Sequence, residues 1–169
     1  MADEKSILDL IDTTQLSCLN ENSSHTVKDI LGRKTVNSAA GSYLLSDADE
    51  QLLLTITFNQ SVRIRKLAIR SSEDPSKAPK SIKLLINRPS IGFEDTTDAV
   101  QELELTEDQV KEGKSVALRY VRFQSVNTLH IFIENNHGDE DETRIDAVDI
   151  IGTPFETTKD LSGLRQEED

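Results

Sequence analysis

Short runs in which apolar and polar residues alternate cover most of the chain. The clearest runs place an apolar side chain at every second position: Leu52, Leu54, Ile56 and Phe58; Ile82, Leu84 and Ile86; Leu129, Ile131 and Ile133. A period of two residues is typical of β-strands that bury one face. The pattern predicts strands in all three runs, with His130 and Glu134 facing outward from the third. A fourth run, 145–151, becomes apolar on both sides near its end.

Two further runs depart from simple alternation. Between Val62 and Ile69 the apolar positions change parity, and one extra residue near Arg65 and Lys66 would restore a single buried face. An extra residue of this kind is a β-bulge. Residues 115–126 carry apolar groups on both sides, which predicts a central strand.

Signals for helices are few and short. A short helix is predicted at 6–11, burying Ile7, Leu10 and Ile11, and a further turn at 26–31, ended by Gly32. A third is predicted at 107–111, where Thr106 and Gln109 resemble a capping box and Gly113 ends the turn.

About eight strands with so little helix predict an all-β fold, an antiparallel β-sandwich or jelly roll. A length of 169 residues suits one domain, which we place at residues 1–155. Residues 156–169 are polar and charged with few apolar anchors, so we expect a mobile acidic C-terminal tail.

Acidic residues outnumber basic ones by 31 to 19, which gives a net charge of −12. Binding to nucleic acid or to an anionic membrane needs a cationic surface, so we expect neither partner. The chain has one cysteine, which excludes an intrachain disulfide and a cysteine-rich zinc module. No apolar run approaches the ~20 residues of a membrane-spanning helix. A soluble protein of the cytosol or nucleus is expected.

Five segments in order resemble one family: LSCLNE (16–21), SDADEQLL (46–53), INRP (86–89), LRYVRFQSV (118–126) and IGTP (151–154). Together they resemble the PITH domain, the proteasome-interacting module at the C-terminus of thioredoxin-like proteins. The resemblance implies a galactose-binding-like jelly roll that docks onto the 19S regulatory particle of the 26S proteasome, in cytoplasm and nucleus. We expect no thioredoxin redox chemistry in this chain, because a single cysteine cannot form a Cys-x-x-Cys pair.

Candidate catalytic and metal chemistry is sparse. We expect Cys18 to be a small buried hydrophobic residue rather than a redox or nucleophilic thiol, since no cation neighbours it in sequence. His25, His130 and His137 are too widely spaced for a local metal motif. No nucleophile motif or glycine-rich phosphate loop occurs. We therefore predict no catalytic residue, no cofactor and no metal site, and a protein that is not an enzyme.

Charged clusters are the candidates for partner binding. The residues proposed for this role are Arg88, Arg119, Arg122, Asp139, Glu140, Asp141 and Glu142. Arg119 and Arg122 flank Tyr120, and Arg and Tyr dominate interface hot spots. Each cluster has another interpretation: cross-strand ion pairs for the arginines, and a solvated turn or a hard-cation site for 139–142. The leading hypothesis is a monomeric docking module for the proteasome particle; the alternative is a carbohydrate- or small-ligand-binding jelly roll.

Overall fold

The computed structural model describes residues 4–39 and 41–155. Within these ranges the chain forms ten strands and two short α-helices. In chain order they are β1 (Lys5–Ser6), β2 (Ser17–Leu19), α1 (Val27–Leu31), β3 (Leu44–Leu45), β4 (Leu52–Arg70), β5 (Ser81–Ile86), β6 (Gln101–Glu104), α2 (Glu107–Glu112), β7 (Ser115–Ala117), β8 (Val126–Ile133), β9 (Arg144–Ile145) and β10 (Ala147–Pro154). Every ladder between these strands is antiparallel. The predicted all-β jelly roll is confirmed.

Strand β4 is long enough to belong to both layers of the sandwich. Its first half pairs with β2 and β8, and the sheet continues from β8 through β5 to β6. Its second half pairs with β10 on one edge and β7 on the other, and β1 lies against β10. Strands β3 and β9 form a separate small ladder. The curled sheet therefore closes around one core, to which both halves of β4 contribute.

The core consists of the apolar faces that alternation predicted. From β4 it takes Leu52, Leu54, Ile56, Phe58, Val62, Ile64, Leu67 and Ile69, all buried. The runs of β5 and β8 bury Ile82, Leu84, Leu129, Ile131 and Ile133 against them. Both neighbouring strands also bury residues of the opposite parity, among them Leu85 and His130. His130 does lie on the opposite face of β8, but that face is covered as well, so the side chain is buried and hydrogen-bonded rather than exposed to solvent.

A β-bulge at Arg65 changes the buried parity of β4, as the sequence predicted. On β10, Ile151 pairs with Lys66 and the next residue, Gly152, pairs with Ile64, so Arg65 is left without a partner. The backbones approach so closely here that a Cβ on Gly152 would overlap the carbonyl oxygen of Arg63. Glycine at 152 is thus a steric requirement of the bulge.

Two of the three predicted helical turns are confirmed with their caps. At α1, the Thr26 backbone N–H donates to Asp29 Oδ2 at 2.8 Å, and Gly32 ends the helix. At α2, Thr106 Oγ1 accepts from the Gln109 N–H at 3.1 Å while Gln109 Oε1 accepts from the Thr106 N–H at 2.8 Å. Gly113 then ends α2 with a φ of 68°.

The helix predicted at 6–11 is wrong. The segment begins in β1, and its regular part is a 3₁₀ turn at Leu8–Leu10. The Ile7 N–H donates to the Ile150 carbonyl and the Asp12 N–H to the Thr57 carbonyl, so both ends are tied to strands. Too few residues remain between these bonds for an α-helix. Leu8 is buried in place of Leu10, which is partly exposed.

The central strand predicted at 115–126 is also wrong. Only β7 at its start and the first residue of β8 at its end are strand. Between them lie a loop and a 3₁₀ turn at Tyr120–Arg122. The predicted tail at 156–169 lies outside the described residues. Of the helices in the described ranges, none has the length and apolar character needed to cross a membrane.

Replacing Gly152 by Ala should destabilise the fold by about 1–3 kcal/mol or more, since the added methyl meets backbone rather than a flexible side chain. The free energy of unfolding in urea measures the effect. Gly41→Ala is the matched control, because a Cβ there meets no atom within 4 Å. Equal stability of the two variants would contradict the steric account of the bulge.

Candidate docking surface

The segment between β7 and β8 leaves the edge of β4 and returns to it. Ala117 pairs with Lys66 and Val126 pairs with Val62, so eight residues (118–125) lie opposite three (63–65). The Leu118 N–H donates to the Arg65 carbonyl at 2.9 Å, and the Ile64 N–H donates to the Phe123 carbonyl at 3.0 Å. The excess residues must project outward, beside the β-bulge.

This projecting loop is anchored at both ends. Phe123 is fully buried and Leu118 is 7% exposed. Inside the loop, the Arg122 N–H donates to the Arg119 carbonyl at 2.8 Å and the Phe123 N–H to the Tyr120 carbonyl at 3.1 Å. Backbone bonds and apolar anchors thus hold both ends of the loop against the core, which lowers the entropy lost when a partner binds.

Between the anchors the loop exposes residues that favour protein contacts. Val121 is 70% exposed and Tyr120 is 39% exposed, and Arg119 and Arg122 are exposed beside them. The guanidinium of Arg65, the bulge residue, lies 4.3 Å from the centre of the Tyr120 ring. We call Arg65, Arg119, Tyr120, Val121 and Arg122 the Tyr120 surface. Sequence reasoning named its two flanking arginines but missed Val121, because its exposure depends on the loop.

Glu4 supplies a carboxylate to the Tyr120 surface. Its side chain lies 3.2 Å from Arg65 and 3.9 Å from the adjoining Lys66. All three side chains are partly exposed, and ion pairs in such positions contribute about 0–1 kcal/mol. The pair is therefore weak and open to competition from another anion.

Arg88 lies in a turn that is built into the fold. Asn87, with a φ of 58°, donates to the Ser125 carbonyl and accepts from the Asn127 and Thr128 N–H groups. This turn therefore adjoins the C-terminal end of the projecting loop (118–125). The side chain of Arg88 pairs with Asp98 at 3.6 Å.

The backbone of Arg88 also holds a buried histidine. The Arg88 N–H donates to His130 Nε2 at 3.3 Å, so the neutral ring carries its proton on Nδ1 and donates to Thr55 Oγ1 at 3.1 Å. Burial, and then the charge of Arg88, lower the pKa of His130 to about 4. His130 is a structural residue that joins β4, β8 and the Arg88 turn.

The acidic residues Asp139, Glu140, Asp141 and Glu142 lie in a loop near the start of β5, which is the opposite end of that strand from Asn87. Asn136 organises the loop: its side-chain amide donates to the carbonyls of Glu140 and Glu142 and to Thr143 Oγ1. Glu142 accepts from Lys77 at 2.9 Å. In the described part of the chain, no three His, Cys, Asp or Glu side chains are grouped so as to hold a metal ion. Hydrogen bonds from Asn136 therefore hold this acidic loop in place. The structure does not bring the acidic loop together with Arg119 and Arg122.

Cys18 is buried in β2, where it pairs with Leu54. Burial, with a smaller contribution from the charge of Glu21, raises the pKa of its thiol well above the ordinary value. The expectation of a buried hydrophobic cysteine is confirmed.

A groove of about 380 Å³ lies on the outer face of the second layer. Its apolar walls are Val36, Ala68, Ala147 and Ile151. Two of the polar groups beside them bond within the chain: Arg70 donates to Ser72 and to the Asn37 carbonyl, and Asp149 accepts from Ser6. The groove has the volume of a small-molecule site but offers a ligand little polar recognition.

Comparison with known proteins places the chain in a family. The family model of the PITH domain matches residues 1–169. The chain is 39% identical to Thioredoxin-like protein 1 of Schizosaccharomyces pombe, over 85% of this chain and 50% of that protein. It is 30% identical to human PITH domain-containing protein 1, over 84% of this chain and 66% of that protein. The chain thus spans about half the length of the yeast relative and about two thirds of the human one.

Solved structures with the same fold have little sequence in common with the chain. The family 32 CBM from C. perfringens NanJ, in complex with galactose, aligns with a TM-score of 0.64 at 10% identity, covering 88% of this chain and 99% of that one. A fucolectin from striped bass serum aligns with a TM-score of 0.62 at 9% identity, covering 90% and 50%. These neighbours establish the galactose-binding-like jelly roll.

The thiol of Cys18 should react slowly with an alkylating reagent in the native protein and rapidly in denaturant, because burial keeps it protonated and covered. Stopped labelling followed by mass spectrometry measures both rates. Similar rates in the two conditions would contradict the burial of this thiol.

Stability should fall as the pH drops from about 6.5 to about 4. In this window the unfolded chain binds a proton at His130 that the folded chain excludes, since the folded pKa is the lower one. The loss should reach up to about 3 kcal/mol. Urea unfolding across this range should show a shallower dependence in His130→Gln than in the wild type. Identical slopes would show that His130 titrates normally in the folded state.

Proposed function

Because this chain belongs to the PITH domain family, we propose that it is a non-catalytic docking module for the 19S regulatory particle of the 26S proteasome. The choice of the 19S particle as the partner is supported by membership of this family, because resemblance to the PITH domain implies binding to that particle. We expect the protein to act in cytoplasm and nucleus, where proteasomes act, and to be a monomer before it docks.

The observation that carries a docking role is the Tyr120 surface. Val121 and Tyr120 project from this loop together with Arg119 and Arg122, and Arg and Tyr supply a large share of interface hot spots. Buried anchors at Leu118 and Phe123 hold this loop in place without a partner. Segment 118–126 carries part of the family resemblance, and its middle lies on the surface.

The carbohydrate alternative has less support in the side chains. Sugar-binding sites commonly use a free aromatic face, and the chain has no Trp, two Tyr and five Phe. Tyr43 is covered by His25, with ring centres 3.9 Å apart, and by Arg144 at 3.7 Å. Three of the phenylalanines, Phe58, Phe123 and Phe132, are buried. The likeness to sugar-binding neighbours is therefore one of fold.

Immobilised protein should retain purified 26S proteasomes and free 19S particles, and should not retain 20S cores. Retention should weaken as salt rises above physiological strength, where the Debye length falls below about 8 Å. Native gels of the eluted particles, developed for peptidase activity, provide the measurement. Free galactose in the buffer is the control for the alternative.

Failure to retain 19S particles at low salt would reject this partner. Elution of the particles by galactose, or saturable binding of the sugar itself, would favour the ligand-binding alternative instead. Charge reversal in 139–142, at Arg88, or at Arg119 with Arg122 compares the three clusters on one particle, with thermal unfolding as the check on folding.

A further inference from the structure

We propose that the Tyr120 surface binds an acidic protein segment that carries an apolar side chain, and that Glu4 occupies the place of that segment's carboxylate in the free protein. This inference rests on the proposed docking function and deepens it by naming the binding face and the chemistry of the partner. Three features of the described residues support it.

The first feature is local charge. The whole chain carries −12, yet Arg65, Lys66, Arg119 and Arg122 lie at or beside one loop. Glu4 pairs with the first two, whereas Arg119 and Arg122 form no ion pair with any residue in 4–39 or 41–155. A guanidinium binds a carboxylate through two parallel hydrogen bonds, so unpaired arginines favour an acidic partner.

The second feature is the apolar tip between the charges. Val121 is the most exposed of the large hydrophobic residues in the described ranges, at 70%. Tyr120 is held under the Arg65 guanidinium and so needs no reordering before contact. An apolar side chain of the partner could cover Val121 while its carboxylates meet the arginines. A long nucleic acid, by contrast, would be repelled by the rest of an acidic surface.

The third feature is the position of Glu4. It comes directly before β1, which is tied to β10 through the pairing of Lys5 with Gly152. That register holds the Glu4 carboxylate beside the bulge, 3.2 Å from Arg65. The ion pair is exposed and weak, so an incoming carboxylate can displace it without unfolding β1. Glu4 therefore acts as an internal competitor of the acidic partner.

The competitor role predicts effects of opposite sign. Glu4→Gln should raise the affinity for an acidic segment about two- to threefold, because Arg65 and Lys66 lose their internal partner. Arg119→Gln with Arg122→Gln should lower the affinity about tenfold at low salt, and Val121→Ser should lower it about fivefold or more. Glu73→Gln removes an exposed carboxylate outside the Tyr120 surface and controls for the general effect of net charge, so it should leave the affinity unchanged.

The probe is a fluorescein-labelled peptide of alternating Glu and Asp around one Leu and one Phe, with both ends blocked. Fluorescence anisotropy with the full chain measures its binding. One control peptide has every acid replaced by its amide, and a second has Leu and Phe replaced by Gly. Both should bind more weakly than the probe. A single-stranded oligonucleotide of equal charge tests the polyanion alternative.

Matched variants separate the surface from general effects of charge and hydrophobicity. Val36→Ser controls for Val121→Ser, because Val36 is also an exposed valine, at 45%. Lys28→Gln with Arg33→Gln removes two exposed positive charges outside the Tyr120 surface. Neither control should change the affinity. Val121→Thr, which keeps the side-chain shape, replaces Val121→Ser if thermal unfolding shows that the serine variant is destabilised.

The outcomes distinguish this inference from the proposed function. Retention of 19S particles that is unaffected by the Arg119, Arg122 and Val121 variants would overturn the inference and leave the proteasome proposal standing. Peptide binding with the expected variant pattern, but no retention of 19S particles, would support the inference and reject the proteasome proposal. Weaker binding by Glu4→Gln, tighter binding of the oligonucleotide than of the peptide, or self-association through the loop on a sizing column would each overturn the inference.

Discussion

A strand of 19 residues can serve both layers of a sandwich only if its buried face changes parity along its length. Strand β4 meets this constraint with one unpaired residue, Arg65, and with a neighbour, Gly152, that has no side chain to obstruct the bulge. Leu54 and Ile64 therefore share a core with Leu67 and Ile69, although their parities differ. Both layers, and the single core between them, depend on this change of register.

The same bulge determines the geometry of the candidate docking surface. A residue without a partner on β10 still has two backbone groups and a side chain to place. Its carbonyl accepts from the Leu118 N–H, where the projecting loop begins, and its guanidinium lies over Tyr120. The structural defect that lets β4 bend is thus also the support for the loop. The core and the surface cannot be changed independently at this point.

Local patterns predicted those features that are settled by local physics. The parity change located the bulge near Arg65, and the Thr106–Gln109 spacing located the cap of α2, because each depends on a few adjacent residues. Residues 115–126 do not form the predicted central strand, because buried anchors at Leu118 and Phe123 give the same two-sided apolar pattern as a strand of that kind. No Gly or Pro marks this turn. A central strand and an anchored loop differ in how many residues of β4 lie opposite them. Only the pairing register reveals that number. The solvent exposure of Val121, and with it most of the candidate site, follows from that register.

The net negative charge of the chain affects how a partner binds, because the projecting loop carries local positive charge. Like charges elsewhere on the surface repel an acidic partner, so those faces are disfavoured for contact. The arginines beside Tyr120 are the local exception, because their positive charges attract an acidic partner. Because the Debye length at physiological salt is about 8 Å, both effects act mainly near contact and select orientation rather than long-range capture. Affinity must then come from the apolar and aromatic tip, whose rigid anchoring at Leu118 and Phe123 limits the entropy that binding costs.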